Sequence, residues 1–337
     1  MNKKLGICII GCGFMGQTHA KGWLAVPEAQ IVAVVDSIPE RAQGLARQFD
    51  CDQYSEYTEA IARPDVNVVS ICLPTCQHAD VTIAAATRGL NVLCEKPIAL
   101  TLDQADRMIA AAHDNQVKLG LGFMRRHSSV VADLKARLQA GELGRPVLYH
   151  ASDVRELRPK REMHDANANG GPVIDMAVHL IDLWNMIFDS QPVSVSAQGL
   201  KIGQDRPEIN HIRNVAVDTA TIMVKYASGD IGTFVVSWGL PLKVNPTQHH
   251  DQIFAPNGLA EMYYAASQQE LRLMSENGVW HTLSISHQDM YQTQIRSFAD
   301  WILKDEPFPA TGTEGKLALQ VALAALESIR TGQTIFL

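Results

Sequence analysis

The stretch that most limits what this chain can fold into is Leu5 to Gly16, where an apolar run breaks off into glycines at positions 11, 13 and 16. A buried strand that ends in G-x-G-x-x-G and leads into a helix has few ways to fold. Gly11 permits a tight strand-to-helix turn, Gly13 lets backbone approach a pyrophosphate, and Gly16 lets the helix lie against the strand. The helix start then offers N–H groups to an anion. Asp36 comes 20 residues after the last glycine and closes a second apolar run, Ile31 to Val35. An acid at that distance accepts hydrogen bonds from an adenosine ribose. Strand, loop, helix and acid together predict a dinucleotide site; the alternative is a plain glycine turn.

The rest of the first 124 residues keeps one rhythm. Pro39 opens a helix, and Val66 to Leu73 is an apolar strand closed by Pro74-Thr75. A helix from about Gln77 to Thr87 ends at Arg88-Gly89. Asn91 to Cys94, Thr101 to Asn115 and Val117 to Phe123 then read as strand, helix and strand. Alternation of this kind predicts an α/β domain with a doubly wound parallel sheet over residues 1–124. Beyond it the pattern changes. Helices are expected at about Ser129 to Ala140 and after Gly170-Gly171-Pro172. Long strand-like runs follow at Val193 to Leu200, Thr219 to Tyr226 and Ile231 to Trp238, with Ser228-Gly229-Asp230 as a hairpin turn. Residues 125–337 are therefore expected to form an α+β domain with a largely antiparallel open sheet. Helices at about Tyr291 to Lys304 and Gly315 to Arg330 close the chain, the last able to pack back on the first domain. Two domains suit 337 residues, more than one core usually supports.

Bulk properties exclude several classes. A formal charge of −7 argues against nucleic acid as a partner. No apolar run approaches the ~20 residues of a membrane span. Lys3-Lys4 precede only a short apolar run without a small-residue cleavage pattern, so this start reads as a buried strand and not an export leader. Six scattered cysteines read as small buried hydrophobes in a reducing cytoplasm. Cys72 and Cys76 have no second pair nearby, so no metal site is expected. Exposed strands in the second domain predict a homodimer or homotetramer.

Three patterns carry chemistry. Pro74-Thr75-x-x-His78 stands at the C-terminal end of a parallel strand, the edge where such sheets bind ligands, so Thr75 and His78 face the crevice. Alternatively Thr75 caps the helix and His78 sits in its first turn. Cys94-Glu95-Lys96-Pro97 follows another strand end; Lys96 there can polarise a hydroxyl or carbonyl, with Glu95 as its ionic neighbour. The alternative is a surface lysine. In Gly170-Gly171-Pro172-Val-Ile-Asp175-Met-Ala-Val-His179-Leu-Ile-Asp182 one continuous helix brings Asp175, His179 and Asp182 within ~40° of one another. Its other residues are apolar, and a buried polar stripe is costly unless its members pair or meet a ligand. Asp175 orienting His179 gives a general acid/base near neutral pH. The alternative is a structural Asp–His pair, and Asp182 reads as support.

Taken together these pieces resemble the Gfo/Idh/MocA oxidoreductases, named for glucose–fructose oxidoreductase and inositol dehydrogenase. The matching stretches are Gly11 to Gly16, Pro74-Thr75-x-x-His78, Cys94 to Pro97, Gly170 to Asp182 and the tail Ala318 to Gly332. Leu121-Gly-Phe-Met-Arg-Arg126 resembles the inositol dehydrogenase branch. The resemblance spans essentially the whole chain. It implies a Rossmann domain followed by an α+β substrate-binding and oligomerisation domain. It also implies Lys96, Asp175 and His179 as the catalytic set. Cofactor contacts would come from Gly11, Gly13, Phe14, Met15, Gly16, Asp36, Ser37, Arg41, Leu73, Pro74, Thr75, His78, Glu95 and Lys96. Substrate contacts would come from Lys96, Arg126, Arg158, His164, Asp175 and His179. Residues 153–169 are unusually polar and fall in the family's variable substrate loop. Arg155, Arg158, Lys160, Arg161 and His164 there can bind a carboxylate, but charge runs of this kind are usually a solvated face, and that is the expectation.

The function implied is hydride transfer between a secondary alcohol of a cyclic polyol or sugar, inositol-like, and the nicotinamide of NAD. Asp36 favours NAD over NADP, because a carboxylate repels a 2′-phosphate; Arg41 keeps dual use open. The alternatives are an NAD-dependent glycosidase with no net redox change and a non-catalytic NAD-binding sensor.

Overall fold

A computed structural model describes residues 4–158, 160–241, 251–265, 268–274, 277–286 and 288–337. Lys3 and Pro159 of the stretches above lie outside the described residues. The chain divides into two compact units: residues 1–124 with 289–316, and residues 125–288 with 317–337.

In the first unit β1 (Leu5–Ile10), β2 (Ala29–Val35), β3 (Asp52–Tyr54), β4 (Val68–Ile71), β5 (Asn91–Cys94) and β6 (Leu119–Leu121) form a sheet in the order β3-β2-β1-β4-β5-β6. Every neighbouring pair is parallel. Between the strands run α1 (Phe14–Leu24), α2 (Pro39–Phe49), α3 (Tyr57–Ala60), α4 (His78–Thr87) and α5 (Leu102–Asp114). Apart from the exposed edge strand β3, the strands are largely buried on both faces, which is why they read as apolar runs. Strand order reverses between β1 and β4, and such a sheet binds its ligand at that switch.

The second unit holds α6 (Ser129–Gln139), β7 (Leu148–Glu156), α7 (Gly171–Asp175), α8 (Ala177–Phe188), β8 (Pro192–Leu200), β9 (Thr219–Tyr226) and β10 (Ile231–Leu240). It continues with β11 (Asp251–Ala255), β12 (Gly258–Ala265), β13 (Gln268–Met274) and β14 (Trp280–Ser284). Its sheet runs β14-β13-β12-β11-β7-β10-β9-β8-β15, where β15 is Ile335–Phe336. Only β7 and β10 pair in parallel; the other neighbours are antiparallel, so the largely antiparallel second sheet is present as expected. One face of this sheet is packed. Gly232 of β10 has no room for a side chain, because a Cβ there would lie 2.4 Å from the Trp184 ring of α8. On the other face Met223 is exposed.

Three departures from the sequence reading have physical causes. The helix α9 (Met290–Lys304) and the start of α10 (Gly312–Thr331) group with the first unit, not with residues 125–288. The apolar face of α9 explains this: Ile295 fills the space that Gly22 leaves open, and Phe298 packs edge-on against Trp23 and Phe308. Strands β7 and β11 to β14 carry too many polar and helix-favouring residues to announce themselves (β13 is Gln-Gln-Glu-Leu-Arg-Leu-Met), and cross-strand pairing overrides that local preference. The helix after Gly170 is not continuous. It breaks at Met176, where the Met176 N–H bonds the Pro172 carbonyl and the His179 N–H bonds only three residues back, to Met176. Asp175 therefore ends one helix while His179 and Asp182 stand on the next.

Candidate active-site residues

In the first unit the glycine loop has the geometry that its spacing demands. Gly11 sits at φ +92°, where a side chain is strained, and a Cβ on Gly16 would lie 1.9 Å from the Gly11 carbonyl oxygen. Gly13 is the residue before α1, and no side chain caps the helix. Its first N–H groups thus receive no protein side chain, which leaves the dipole end open to an anion. Asp36 is buried at the end of β2. Its Oδ2 accepts the Cys12 N–H at 2.8 Å and its Oδ1 accepts the Ile38 N–H at 2.9 Å. Each carboxylate oxygen has two lone-pair sites, so the acid ties β2 to the loop and keeps capacity for hydroxyl donors. Ser37 and Arg41 beyond it are exposed.

Pro74 and Thr75 follow β4, with Thr75 buried at the start of a short 3₁₀ turn. His78 is wholly buried, and its two ring nitrogens face backbone carbonyls, Pro97 at 2.7 Å and Leu73 at 3.0 Å. Burial lowers its proton affinity despite those acceptors. The structure gives His78 the work of tying the Leu73–Pro74 turn to the Lys96–Pro97 turn, not an open face toward a ligand.

Lys96 is half-buried and precedes a cis proline, Pro97. Glu95 is turned away into the core, where it accepts from His19 Nε2 at 2.9 Å and from the Lys96 backbone N–H at 3.2 Å. Burial raises the Glu95 pKa, but the His19 hydrogen bond and charge, with the Lys96 charge and backbone N–H, together outweigh it and hold the carboxyl below its ordinary range. One proton arrangement satisfies the whole group. Trp23 Nε1–H donates to Ser70 Oγ at 3.3 Å, the Ser70 hydroxyl donates to His19 Nδ1 at 2.7 Å, and His19 Nε2–H donates to Glu95. Glu95 is thus held by a buried pair with His19, and the charge of its expected neighbour Lys96 also lowers its pKa. Sequence reading missed His19. Its signal was position: 16, 19, 20 and 23 fall on the buried face of α1.

In the second unit Asp175 and His179 are buried, at 5% and 6% exposure, among the apolar side chains of α7 and α8. Asp182 is buried below them and accepts three hydrogen bonds from Arg126: Nε at 3.0 and 2.8 Å and Nη2 at 2.7 Å. Arg126, expected to touch substrate, is thereby engaged in a fork-to-fork grip on Asp182. Arg125 beside it, not singled out from sequence, is buried over the Tyr264 ring at 5.0 Å. Tyr149 and Tyr264 both donate to Asp251 Oδ2, at 2.6 and 2.9 Å.

The polar segment after β7 is not a solvated face. Arg155 pairs with the buried Asp153, donating from Nη2 to Oδ2 at 2.9 Å. Arg158 is half-buried over the Trp238 ring at 5.6 Å. His164 is 1% exposed, takes the Arg158 backbone N–H on Nε2 at 3.0 Å and meets Trp238 edge-on. Apolar ring surface from Trp238 is what draws these charged stems inward. Lys160 alone of the group is fully exposed.

A β-strand, glycine loop, uncapped helix and ribose-distance acid in a 3-2-1-4-5-6 parallel sheet define the nucleotide-binding half of a dehydrogenase-type fold. Residues 5–123 match the family model described as oxidoreductase family, NAD-binding Rossmann fold, and residues 131–253 match that of the GFO/IDH/MocA C-terminal domain. The chain belongs to the Gfo/Idh/MocA oxidoreductase family. It is 26% identical over 342 residues to the scyllo-inositol 2-dehydrogenase (NAD(+)) of Bacillus subtilis, covering 99% of this chain and 97% of that protein. It is also 26% identical over 334 residues to the myo-inositol 2-dehydrogenase of Thermotoga maritima, covering 98% and 97%. The structure of a levoglucosan dehydrogenase in complex with NADH and levoglucosan shares the fold, with a TM-score of 0.88 at 21% identity and 99% of both chains covered. Among the described residues, no helix is long and apolar enough to cross a membrane.

The residues present fit NAD. The loop has no space for side chains where a pyrophosphate would approach, α1 starts without a cap, and the Asp36 carboxylate stands at the loop's edge.

Proposed function

We propose that the protein is an NAD-dependent dehydrogenase acting on a secondary alcohol of a cyclic polyol or pyranose sugar. The observation that carries this reading is the pair of buried ionisable groups, Asp175 and His179, set into otherwise apolar helices. Such groups are costly unless they serve a site. The inositol dehydrogenases among the relatives support the substrate class.

Glycines 11, 13 and 16 with Phe14 and Met15 would cradle the pyrophosphate, Asp36 and Ser37 the ribose, and Leu73, Pro74 and Thr75 the crevice beyond. His78 and Glu95 would act from behind, by holding the turns that carry Thr75 and Lys96. Held there, NAD would supply the acceptor for the hydride that leaves the carbinol carbon. In oxidation neutral His179 takes the hydroxyl proton on a ring nitrogen, and Asp175 supports the imidazolium that results. Lys96 steadies the oxygen as it gains negative charge. Arg126 keeps Asp182, and with it the His179 helix, in place. The Asp36 carboxylate disfavours a 2′-phosphate, so NAD is preferred over NADP even with Arg41 one helical turn away. The second unit binds substrate and, through the sheet face on which Met223 is exposed, forms a homo-oligomer.

The test is a pair of variants. Lys96→Ala and His179→Ala should bind NAD with dissociation constants within about threefold of the parent yet lose at least ~10²-fold in kcat. Turnover within tenfold of the parent in either variant would remove that residue from the chemistry. An intact NAD site with no turnover even in the parent would leave a sensor.

A further inference from the structure

The segment read as a solvated face holds a group of buried donors that the protein does not balance. Four buried donor atoms have no acceptor among the described residues: Arg158 Nε, Arg161 Nη1, His164 Nδ1 and Trp238 Nε1. Their residues adjoin one another. Arg158 lies over Trp238, His164 meets Trp238 edge-on and takes the Arg158 backbone N–H, and Arg161 is within electrostatic reach of His164. His164 Nε2 lies 3.0 Å from the Arg158 N–H and 3.4 Å from the Arg158 carbonyl; the shorter contact assigns Nε2 as acceptor and the ring proton to Nδ1, the unmatched nitrogen of a residue 1% exposed. Among the described residues, the unmatched acceptor nearby is Glu156 Oε2.

An unmatched buried donor is costly, so four together are sustained only if something supplies acceptors. A hydroxyl brings a donor with its acceptor pairs. A carboxylate brings acceptors only, about four lone-pair sites, and suits a guanidinium in particular. We propose that Arg158, Arg161, His164 and Trp238 form a subsite for a carboxylate, so that the substrate is a sugar acid and not a neutral polyol. Asp175 lies within electrostatic reach of Arg158, which puts the subsite beside the proposed acid/base pair. Burial and the neighbouring Arg155 charge pull the Arg158 guanidinium below its ordinary pKa, a strain that a bound anion relieves. The substrate assignment rests on the dehydrogenase reading; the carboxylate site does not.

The test compares D-glucuronate and D-galacturonate with D-glucose and D-galactose, pairs that differ by a carboxylate in place of a hydroxymethyl group. Turnover is followed with NAD, and D-glucuronate binding by titration calorimetry. Both uronates should exceed their neutral partners at least ~10-fold in kcat/KM. Arg158→Gln should cost the uronates at least ~10-fold more in kcat/KM than it costs the neutral sugars, and should weaken glucuronate binding in parallel. Arg161→Gln gives a second variant, and the comparison in the parent protein needs none. Neutral sugars turned over as well as uronates, or an equal loss on both in Arg158→Gln, would overturn the subsite and leave the dehydrogenase. Glucuronate bound, released by Arg158→Gln and never oxidised would keep the subsite and overturn the dehydrogenase.

Discussion

Asp36 Oδ2 accepts the Cys12 backbone N–H at 2.8 Å, which joins the end of β2 to the middle of the glycine loop. The same carboxylate that would hold the ribose therefore also shapes the turn that would hold the pyrophosphate. Replacing it should act on both, and Asp36→Ser is expected to weaken NAD binding ~10-fold or more, since hydrogen bonds to a charged group are worth ~1.5–3 kcal/mol each. NADP should lose far less, because the repulsion of its 2′-phosphate goes with the charge. Titrating both cofactors against parent and variant checks this; equal losses for the two would contradict it.

His19 and Glu95 form a buried pair at 2.9 Å, and removing one member leaves the other uncompensated. His19→Ala should lower stability by ~1–3 kcal/mol in urea unfolding, the cost of a buried carboxylate left without its donor, and adding Glu95→Gln should restore part of the loss. A double variant no more stable than the single would show that cavity formation, not the stranded carboxylate, sets the cost.

Acid should destabilise the fold through buried histidines. Burial and the Arg126 charge hold His127 down at about 4, against an ordinary 6.5. Between those values the unfolded chain binds a proton that the folded chain does not. Stability is thus complete above pH 6.5 and falls as pH drops toward 4, by ~3 kcal/mol from this group. His164, lowered mainly by its burial, adds in the same sense. Melting temperatures of parent and His127→Asn between pH 7 and 4 check it; the variant should lose less on acidification than the parent.

Much of this was legible in the order of residues. Five strands of the first unit could be read because they are largely buried on both faces and their turns end in glycine or proline, whereas the exposed, polar edge strand β3 could not. Asp175 and His179 stood out as charge in an apolar helix. What was not legible depended on contacts far apart in sequence. Glu95 is 76 residues from the His19 that claims it, and Arg126 is 56 from Asp182. Arg158 and His164 read as surface charge because Trp238, which draws them in, belongs to a strand some 80 residues on. The break at Met176 left no mark in a run of helix-compatible side chains.

The central claim is net hydride transfer to NAD, and absorbance at 340 nm measures it directly. Purified protein mixed with NAD and a panel of inositols, pyranoses and sugar acids should accumulate NADH with at least one of them, and more slowly or not at all with NADP in place of NAD. Release of sugar from a glycoside with no rise at 340 nm, or NADP reduced as fast as NAD, would contradict the account.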